Sequence, residues 1–306
     1  MIAIDTRDAA TGAGLMRRAA LASLGVSLFL VAIKTFAYFT SCSVSVLASL
    51  ADSALDLFTS VLNLVAIRSA LTPADAEHRF GHGKAEPLAG LAQGAFIAGS
   101  ATFLIVQAGL RLFDPEPVEE EGTALLIMGI SIALALGLVL YQRYVVNRTG
   151  SIAIGADRMH YLGDIATNAG VILALGLVWS LGWQAADPII AIVVACVLIW
   201  SAWGVFRQSY DQLMDRELPD AEREKIIKIV LDHGEVRNMH DLRTRAAGVN
   251  AFIQFHVELD PNISLVRAHE LCDEVERSLC AEFPHAEVII HQDPAGYEMP
   301  PRLAVS

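Results

Sequence analysis

The stretch SLADSALDLFTSVLNLVAI, residues 49–67, decides the fold of this chain, because it is apolar along most of its length and yet contains two carboxylates. Those carboxylates, Asp52 and Asp56, are four residues apart, so a helix places them on one face. At the centre of a bilayer each would cost roughly 2.5–3.5 kcal/mol, and the two charges also repel each other. The stretch therefore predicts a membrane-spanning helix whose charged face meets a compensating group.

A second stretch supplies a matching pair of ionisable residues. GADRMHYLGDIATNAGVILALGLV, residues 155–178, carries His160 and Asp164 with the same spacing of four. Three carboxylates and one imidazole that face each other would form a four-ligand site of nitrogen and oxygen donors for a divalent cation. Asn63 and Asn168 extend the two polar faces, which favours a polar path through the membrane over a lipid-facing surface.

Composition limits the class of protein. Of the 306 residues, 54% are hydrophobic and only 18% are charged, which is too apolar for a soluble protein of this length and indicates a polytopic membrane protein. The net charge of −12 argues against nucleic acid as a partner. No cysteine pair has CxxC spacing, so we interpret the cysteines as reduced packing residues; they are Cys42, Cys196, Cys272 and Cys280.

Six apolar segments are long enough to cross about 30 Å of hydrocarbon at about 1.5 Å per residue. They cover about residues 17–39, 44–68, 88–112, 122–146, 154–181 and 187–208. The unpatterned residues 1–16 indicate a loose N-terminal tail. Lys and Arg concentrate in the connections on one side, which by the positive-inside rule puts both termini in the cytoplasm. Lys34, near the outer end of the first span, is the exception, and we interpret it as a side chain that extends outward to the interface.

From residue 209 onward the composition changes to a water-soluble pattern. Helical and strand periodicities alternate in the order αββαβ, at residues 219–234, 240–248, 251–260, 264–283 and 286–293. The sequence therefore predicts a membrane all-α bundle of six transmembrane helices followed by a small cytoplasmic α+β domain. The predicted boundaries are 17–208 for the bundle, 209–293 for the α+β domain and 294–306 for a C-terminal tail.

Two further groups of residues have the donor types of a metal site. In the loop PADAEHRFGHGKAE, a carboxylate and two imidazoles at Asp75, His78 and His82 could bind a cation, although a solvated loop without metal is an equal alternative on spacing alone. In the α+β domain, four imidazoles, an amide and a carboxylate could hold two cations with the aspartate bridging, but spacing does not establish that they converge. These residues are His240, His256, His269, His291, Gln292 and Asp293.

The motifs around these residues resemble those of the cation diffusion facilitator family, within it the bacterial zinc/iron group of YiiP-like exporters. The resemblance runs from about residue 17 to residue 293. It is carried by SVLASLADSALD, FGHGKAEPLAGLAQ and HYLGDIATNAG in the membrane part, and by HDLRTR, FIQFH, AHELCDEVE and VIIHQDP in the soluble part.

The resemblance implies three groups of metal ligands. The intramembrane transport site, tetrahedral for Zn²⁺, comprises Asp52, Asp56, His160 and Asp164. The loop site comprises Asp75, His78 and His82. The paired-metal site of the cytoplasmic domain comprises His240, His256, His269, His291, Gln292 and Asp293. The resemblance also implies a ferredoxin-like soluble domain, a homodimer, and an interdomain salt bridge between Lys84 and Asp215.

The expected function is efflux of a divalent metal cation across the bacterial inner membrane by exchange for protons. Zn²⁺ is expected as both the transported and the regulatory ion, with Cd²⁺ and Fe²⁺ as alternatives. The protein is expected to contact membrane lipid and to need no organic cofactor. Because metal binds the neutral imidazole and the ionised carboxylate, protons and metal compete for one site. There are two alternative functions. One is an intramembrane metallo-hydrolase, but the sequence contains no HExxH motif, which argues against it. The other is a metal-sensing scaffold that does not transport.

Overall fold

The computed structural model describes residues 6–41, 44–113, 122–183 and 185–296, and it divides into two compact units, one mainly of residues 10–213 and one mainly of residues 214–306. The first unit contains six helices that are long and apolar enough to cross a membrane. They are α1 (Thr6–Ser41), α2 (Val44–Ala70), α3 (Ala85–Phe113), α4 (Gly122–Thr149), α5 (Ile152–Leu181) and α6 (Ala186–Leu213). The six predicted spans are confirmed.

The N-terminal tail differs from the prediction. Helix α1 begins at Thr6, so residues 6–16 are helical rather than loose. This segment contains three alanines and no proline, and alanine has the highest intrinsic helix propensity, so the helix of the first span can extend through it. Residues 1–5 and 297–306 lie outside the described part of the chain.

Close helix contacts position α5, which carries the second ionisable pair. Gly163 on α5 faces Leu198 on α6, and a Cβ at this glycine would lie 2.8 Å from Cδ2 of that leucine. About two turns further along, Gly170 faces Ile190 in the same way, with 3.0 Å to Cγ2. Small residues at a membrane interface let helix backbones approach. The glycines therefore fix α5 against α6, and the ionisable pair lies on a neighbouring side of α5.

The second unit has the predicted αββαβ order. It consists of α7 (Asp220–Leu231), β1 (Asn238–Ala247), β2 (Asn250–Leu259), α8 (Leu265–Glu282) and β3 (Ala286–Pro294). The sheet order is β1-β2-β3, with β1 antiparallel and β3 parallel to β2. Gly248 adopts φ +63° in the turn between β1 and β2, a conformation that side chains with a Cβ disfavour.

The two faces of this sheet have different roles. Ile253, Phe255 and Val257 on β2 are buried in the core that α7 and α8 complete. Because side chains alternate along a strand, His256 lies on the other face. The strand register places it opposite His240 on β1 and opposite His291 on β3, so three histidines form a row across the sheet.

Candidate metal sites

The intramembrane residues meet between α2 and α5. Nε2 of His160 lies 3.0 Å from Oδ1 of Asp56 and 3.8 Å from Oδ2 of Asp164. One donor atom of each of these three residues lies within 4.8 Å of the others, which suits a shared cation. Asp52, one turn away on α2, lines the same cavity but does not belong to this close triad.

A cavity of about 520 Å³ contains all four predicted transport-site residues. An adjoining cavity of about 260 Å³ continues toward the end of the bundle where α1 ends and α2 begins. Asn168 lines both cavities, and its amide donates to the carbonyl oxygen of Asp164 at 2.9 Å. Asn63, which is only 2% exposed, lies instead in a separate groove between α2 and α3. The polar path thus includes Asn168 but not Asn63.

A buried polar layer lies on the other side of the triad, toward the start of α1. The hydroxyl of Tyr161 hydrogen-bonds to Ser27 at 2.7 Å, and Ser27 hydrogen-bonds to Ser60 at 2.8 Å. Asp157, fully buried, accepts hydrogen bonds from Gln93 at 2.9 Å and Gln142 at 2.6 Å. Asp157 is not among the residues predicted from the sequence; the signal for it is a second carboxylate in the same span, one turn before His160.

The position of the Lys34 side chain contradicts the interpretation made from the sequence. Its side chain does not extend to the interface, because the ammonium donates to Oγ of Ser53 at 2.7 Å and to the carbonyl oxygen of Ser49 at 3.1 Å, both on α2. The residue is 9% exposed and lines the cavity of the ionisable residues. Hydrogen-bond acceptors inside the bundle and nearby carboxylates together replace the water that an outward-pointing ammonium would find.

The loop residues form a compact group after α2. Nδ1 of His78 lies 3.3 Å from Oδ1 of Asp75, and Nε2 of His82 lies 3.5 Å from Oδ2. Backbone N–H groups of His78 and Glu77 donate to the Asp75 carboxylate at 2.6 and 2.9 Å, which lowers the pKa of that carboxyl below its ordinary value. Gly81 at φ +74° lets the chain turn between the two histidines. The predicted donors therefore converge.

In the α+β unit the row of histidines meets Asp293. Oδ2 of this buried carboxylate lies 2.7 Å from Nδ1 of His256 and 3.4 Å from Nε2 of His240, whereas Oδ1 lies 3.3 Å from Nε2 of His291. Oδ2 therefore faces His240 and His256, and Oδ1 faces His291. This is the geometry that a bridging carboxylate between two cations requires.

The structure does not gather every predicted residue of this group. His269 on α8 is exposed and lies 3.8 Å from Asp273. The amide of Gln292 donates to Sγ of Cys272 at 3.1 Å, on the face of the sheet opposite His291. Lys84 and Asp215 belong to different units, and Asp215 is 3.4 Å from Arg245 in its own unit. The ligand roles of His269 and Gln292 and the interdomain salt bridge remain predictions.

A bundle of six membrane-spanning helices that encloses carboxylates and an imidazole around a cavity defines a membrane transporter of cations. Residues 20–214 match the family described as the cation efflux transmembrane domain, and residues 218–295 match the cation efflux protein cytoplasmic domain. The chain belongs to the cation efflux family. It is a multi-pass transporter of divalent metal cations and not an enzyme, which confirms the resemblance and removes the metallo-hydrolase alternative.

Relatives extend over nearly the whole chain. The cation-efflux pump FieF of Klebsiella pneumoniae is 44% identical over 281 residues, covering 92% of this chain and 93% of that protein. FieF of Salmonella arizonae is 44% identical over 280 residues, with the same coverage. A structure of CzrB in its Zn form is 36% identical, covers 28% of this chain and 99% of that chain, and has a TM-score of 0.27. The metal-bound C-terminal domain of the CzcD transporter from Thermotoga maritima is 28% identical, covers 25% of this chain and 91% of that chain, and has a TM-score of 0.25.

Proposed function

We propose that this chain exports Zn²⁺ from the bacterial cytoplasm across the inner membrane in exchange for protons, with Cd²⁺ and Fe²⁺ as alternative cargo. The transport site comprises Asp52, Asp56, His160 and Asp164. The position of His160 supports this proposal most directly, because its Nε2 lies 3.0 Å from one carboxylate and 3.8 Å from another inside the helix bundle. Imidazole with carboxylates suits Zn²⁺ better than it suits harder cations.

Competition at His160 couples the two ions. When the site holds no metal, a protonated imidazole pairs with Asp56 and Asp164; when metal arrives, it needs the neutral imidazole and displaces the proton. The cavity extends toward the end of α1, which is the outer side if both termini are cytoplasmic, while the polar layer around Tyr161 and Asp157 closes the inner side. In this state the site exchanges metal for protons with the outside.

A pH gradient across inside-out vesicles tests the exchange. With the membrane potential clamped, a lumen one pH unit more acidic than the medium should raise Zn²⁺ accumulation by about tenfold for each proton exchanged, since one unit corresponds to about 1.4 kcal/mol. Parallel runs with Cd²⁺, Fe²⁺ and Mn²⁺ rank the cargo. Zn²⁺ accumulation that does not depend on the pH gradient would refute proton exchange, but it would not contradict metal efflux.

The cytoplasmic group regulates rather than conducts in this proposal. We expect His256→Ala or Asp293→Ala, in the full chain, to lose roughly one bound Zn²⁺ per chain and to slow transport without abolishing it. Each variant removes a residue of the 2.7 Å pair at the centre of the row, and neither residue belongs to the membrane cavity. Equilibrium dialysis of the solubilised protein measures the stoichiometry.

The matched control for this pair is His285→Ala, which removes an exposed histidine in the turn before β3. Its metal stoichiometry and transport rate should equal those of the wild type. If His256→Ala and Asp293→Ala retain the wild-type stoichiometry, the histidine row is not a metal site and its ion pairs are structural.

We further propose that the chain acts as a homodimer with both termini cytoplasmic, as its match to the dimer-forming cytoplasmic domain family supports. In the dimer, Lys84 and Asp215 pair across the domains. Crosslinking of the membrane-embedded protein tests the dimer.

We also propose that Asp75, His78 and His82 bind cargo at the inner face of the membrane. Their convergence around one carboxylate supports this role.

A further inference from the structure

Lys34 places a positive charge inside the cavity that contains three carboxylates. The residue lies about two turns before the end of α1, and its hydrogen bonds to Ser49 and Ser53 hold the ammonium against α2. Ser53 directly follows Asp52 in the chain, so the ammonium is fixed beside the charged face of that helix. A lysine in this position gives up the hydration that it would have at the interface.

The ammonium acts on the whole group of carboxylates. Lys34, Asp52, Asp56 and Asp164 all line the cavity of about 520 Å³, and the charge of Lys34 interacts with each of the three carboxylates. Interactions of this kind are strong because the surroundings have a low dielectric constant. In the metal-binding form, in which His160 is neutral, three ionised carboxylates and one ammonium together carry a net charge of −2.

A net charge of −2 is the charge that one divalent cation neutralises. We propose that Lys34 is a specificity-determining residue, a fixed counter-charge that matches the cavity to a single divalent cation and keeps the cation from binding too tightly to leave. The inference deepens the proposed function, because it rests on the carboxylates being the transport site. Without Lys34 the cavity would carry −3, and a bound divalent cation would leave an uncompensated charge.

If Lys34 only held α1 against α2 through its hydrogen bonds, its variants would behave differently from what the charge proposal predicts. Lys34→Gln keeps a hydrogen-bond donor for Ser49 and Ser53 but removes the charge, whereas Lys34→Arg keeps both. Lys34→Met keeps only the approximate length of the side chain. If the charge matters, Gln should behave like Met; if the hydrogen bonds matter, Gln should behave like Arg.

The test measures KM and Vmax in proteoliposomes for the divalent cation that the wild type carries. We expect both constants to fall by about tenfold in Lys34→Met and Lys34→Gln, because the more negative site binds the cation more tightly and releases it more slowly. Lys34→Arg should stay within about twofold of the wild type. Membrane abundance and thermal unfolding show whether each variant is folded.

A double variant separates charge from packing. Lys34→Met with Ser53→Lys returns a positive charge to the same cavity from α2 and keeps all four proposed ligands, so its KM should rise from the Lys34→Met value toward that of the wild type. Wild-type KM and Vmax in both neutral variants, equal losses in Lys34→Arg and Lys34→Met, or a KM in the double variant no higher than in Lys34→Met would each overturn the proposal. The dependence of wild-type flux on the pH gradient in the same vesicles tests the proposed exchange separately.

Discussion

Asp56→Ala should reduce Zn²⁺ transport by about a hundredfold or more, to the background of protein-free vesicles, while the protein remains folded and inserted. The substitution removes the carboxylate whose Oδ1 lies 3.0 Å from Nε2 of His160, and with it one ligand of the cation. It also relieves the repulsion between Asp56 and Asp52, so the loss of an ion pair is partly offset in the folded state. Zn²⁺ flux at matched membrane abundance measures the effect.

Asp187→Ala is the matched control for this variant. Asp187 is also a carboxylate in a membrane helix, but it pairs with Arg111 at 3.1 Å and does not line the cavity of His160. Its removal should leave most of the flux. Near-normal flux in Asp56→Ala at equal abundance would remove Asp56 from the transport site, and equal losses in both variants would show that any lost membrane carboxylate disables the protein.

The meeting of α2 and α5 could be predicted from the sequence because an ionisable residue in a membrane span is costly. Asp52 and Asp56 on one face of a helix need a partner, and His160 and Asp164 have the same spacing. The cost of burying these charges is enough to predict the residues and the type of ligand. The close triad could not be distinguished from Asp52, because that difference depends on how α2 is shifted along its axis relative to α5 and on the angle at which the two helices cross.

Contacts between helices that are distant in sequence were beyond prediction. Asp157 has partners on α3 and α4, and nothing in the sequence indicates that Gln93 and Gln142 lie at the depth of this carboxylate. Lys34 was misinterpreted for the same reason, since Ser53 became its partner only through the packing of α1 on α2. Periodicity identifies the face of a helix but not the element that covers it.

In the α+β domain, strand periodicity contained more information than the metal-site prediction used. Gln292 directly follows His291, so alternation already places their side chains on opposite faces of the sheet. The row of three histidines depends instead on register, which the irregular pairing between His240 and Arg243 shifts. Asp241 occupies this bulge with φ +50°, a conformation uncommon for a residue other than glycine.

His160→Asp should lower the ratio of Zn²⁺ to Mn²⁺ transport by about tenfold. The imidazole is the only nitrogen donor among the four proposed ligands, and it suits borderline cations such as Zn²⁺. Four carboxylates would form a set of oxygen donors, which suits harder cations such as Mn²⁺. The effect follows because Asp56 and Asp164 lie within 3.0 and 3.8 Å of His160, so that a carboxylate there joins the other two.

The measurement compares initial rates of Zn²⁺ and Mn²⁺ uptake by the variant and the wild type in the same proteoliposomes. His285→Asp makes the same chemical change at an exposed turn outside the membrane, and its Zn²⁺-to-Mn²⁺ ratio should equal that of the wild type. A ratio in His160→Asp that matches the wild type would mean that His160 is not a ligand. The 3.0 Å contact with Asp56 would then be a structural ion pair between α2 and α5, and selectivity would have to arise elsewhere on the path.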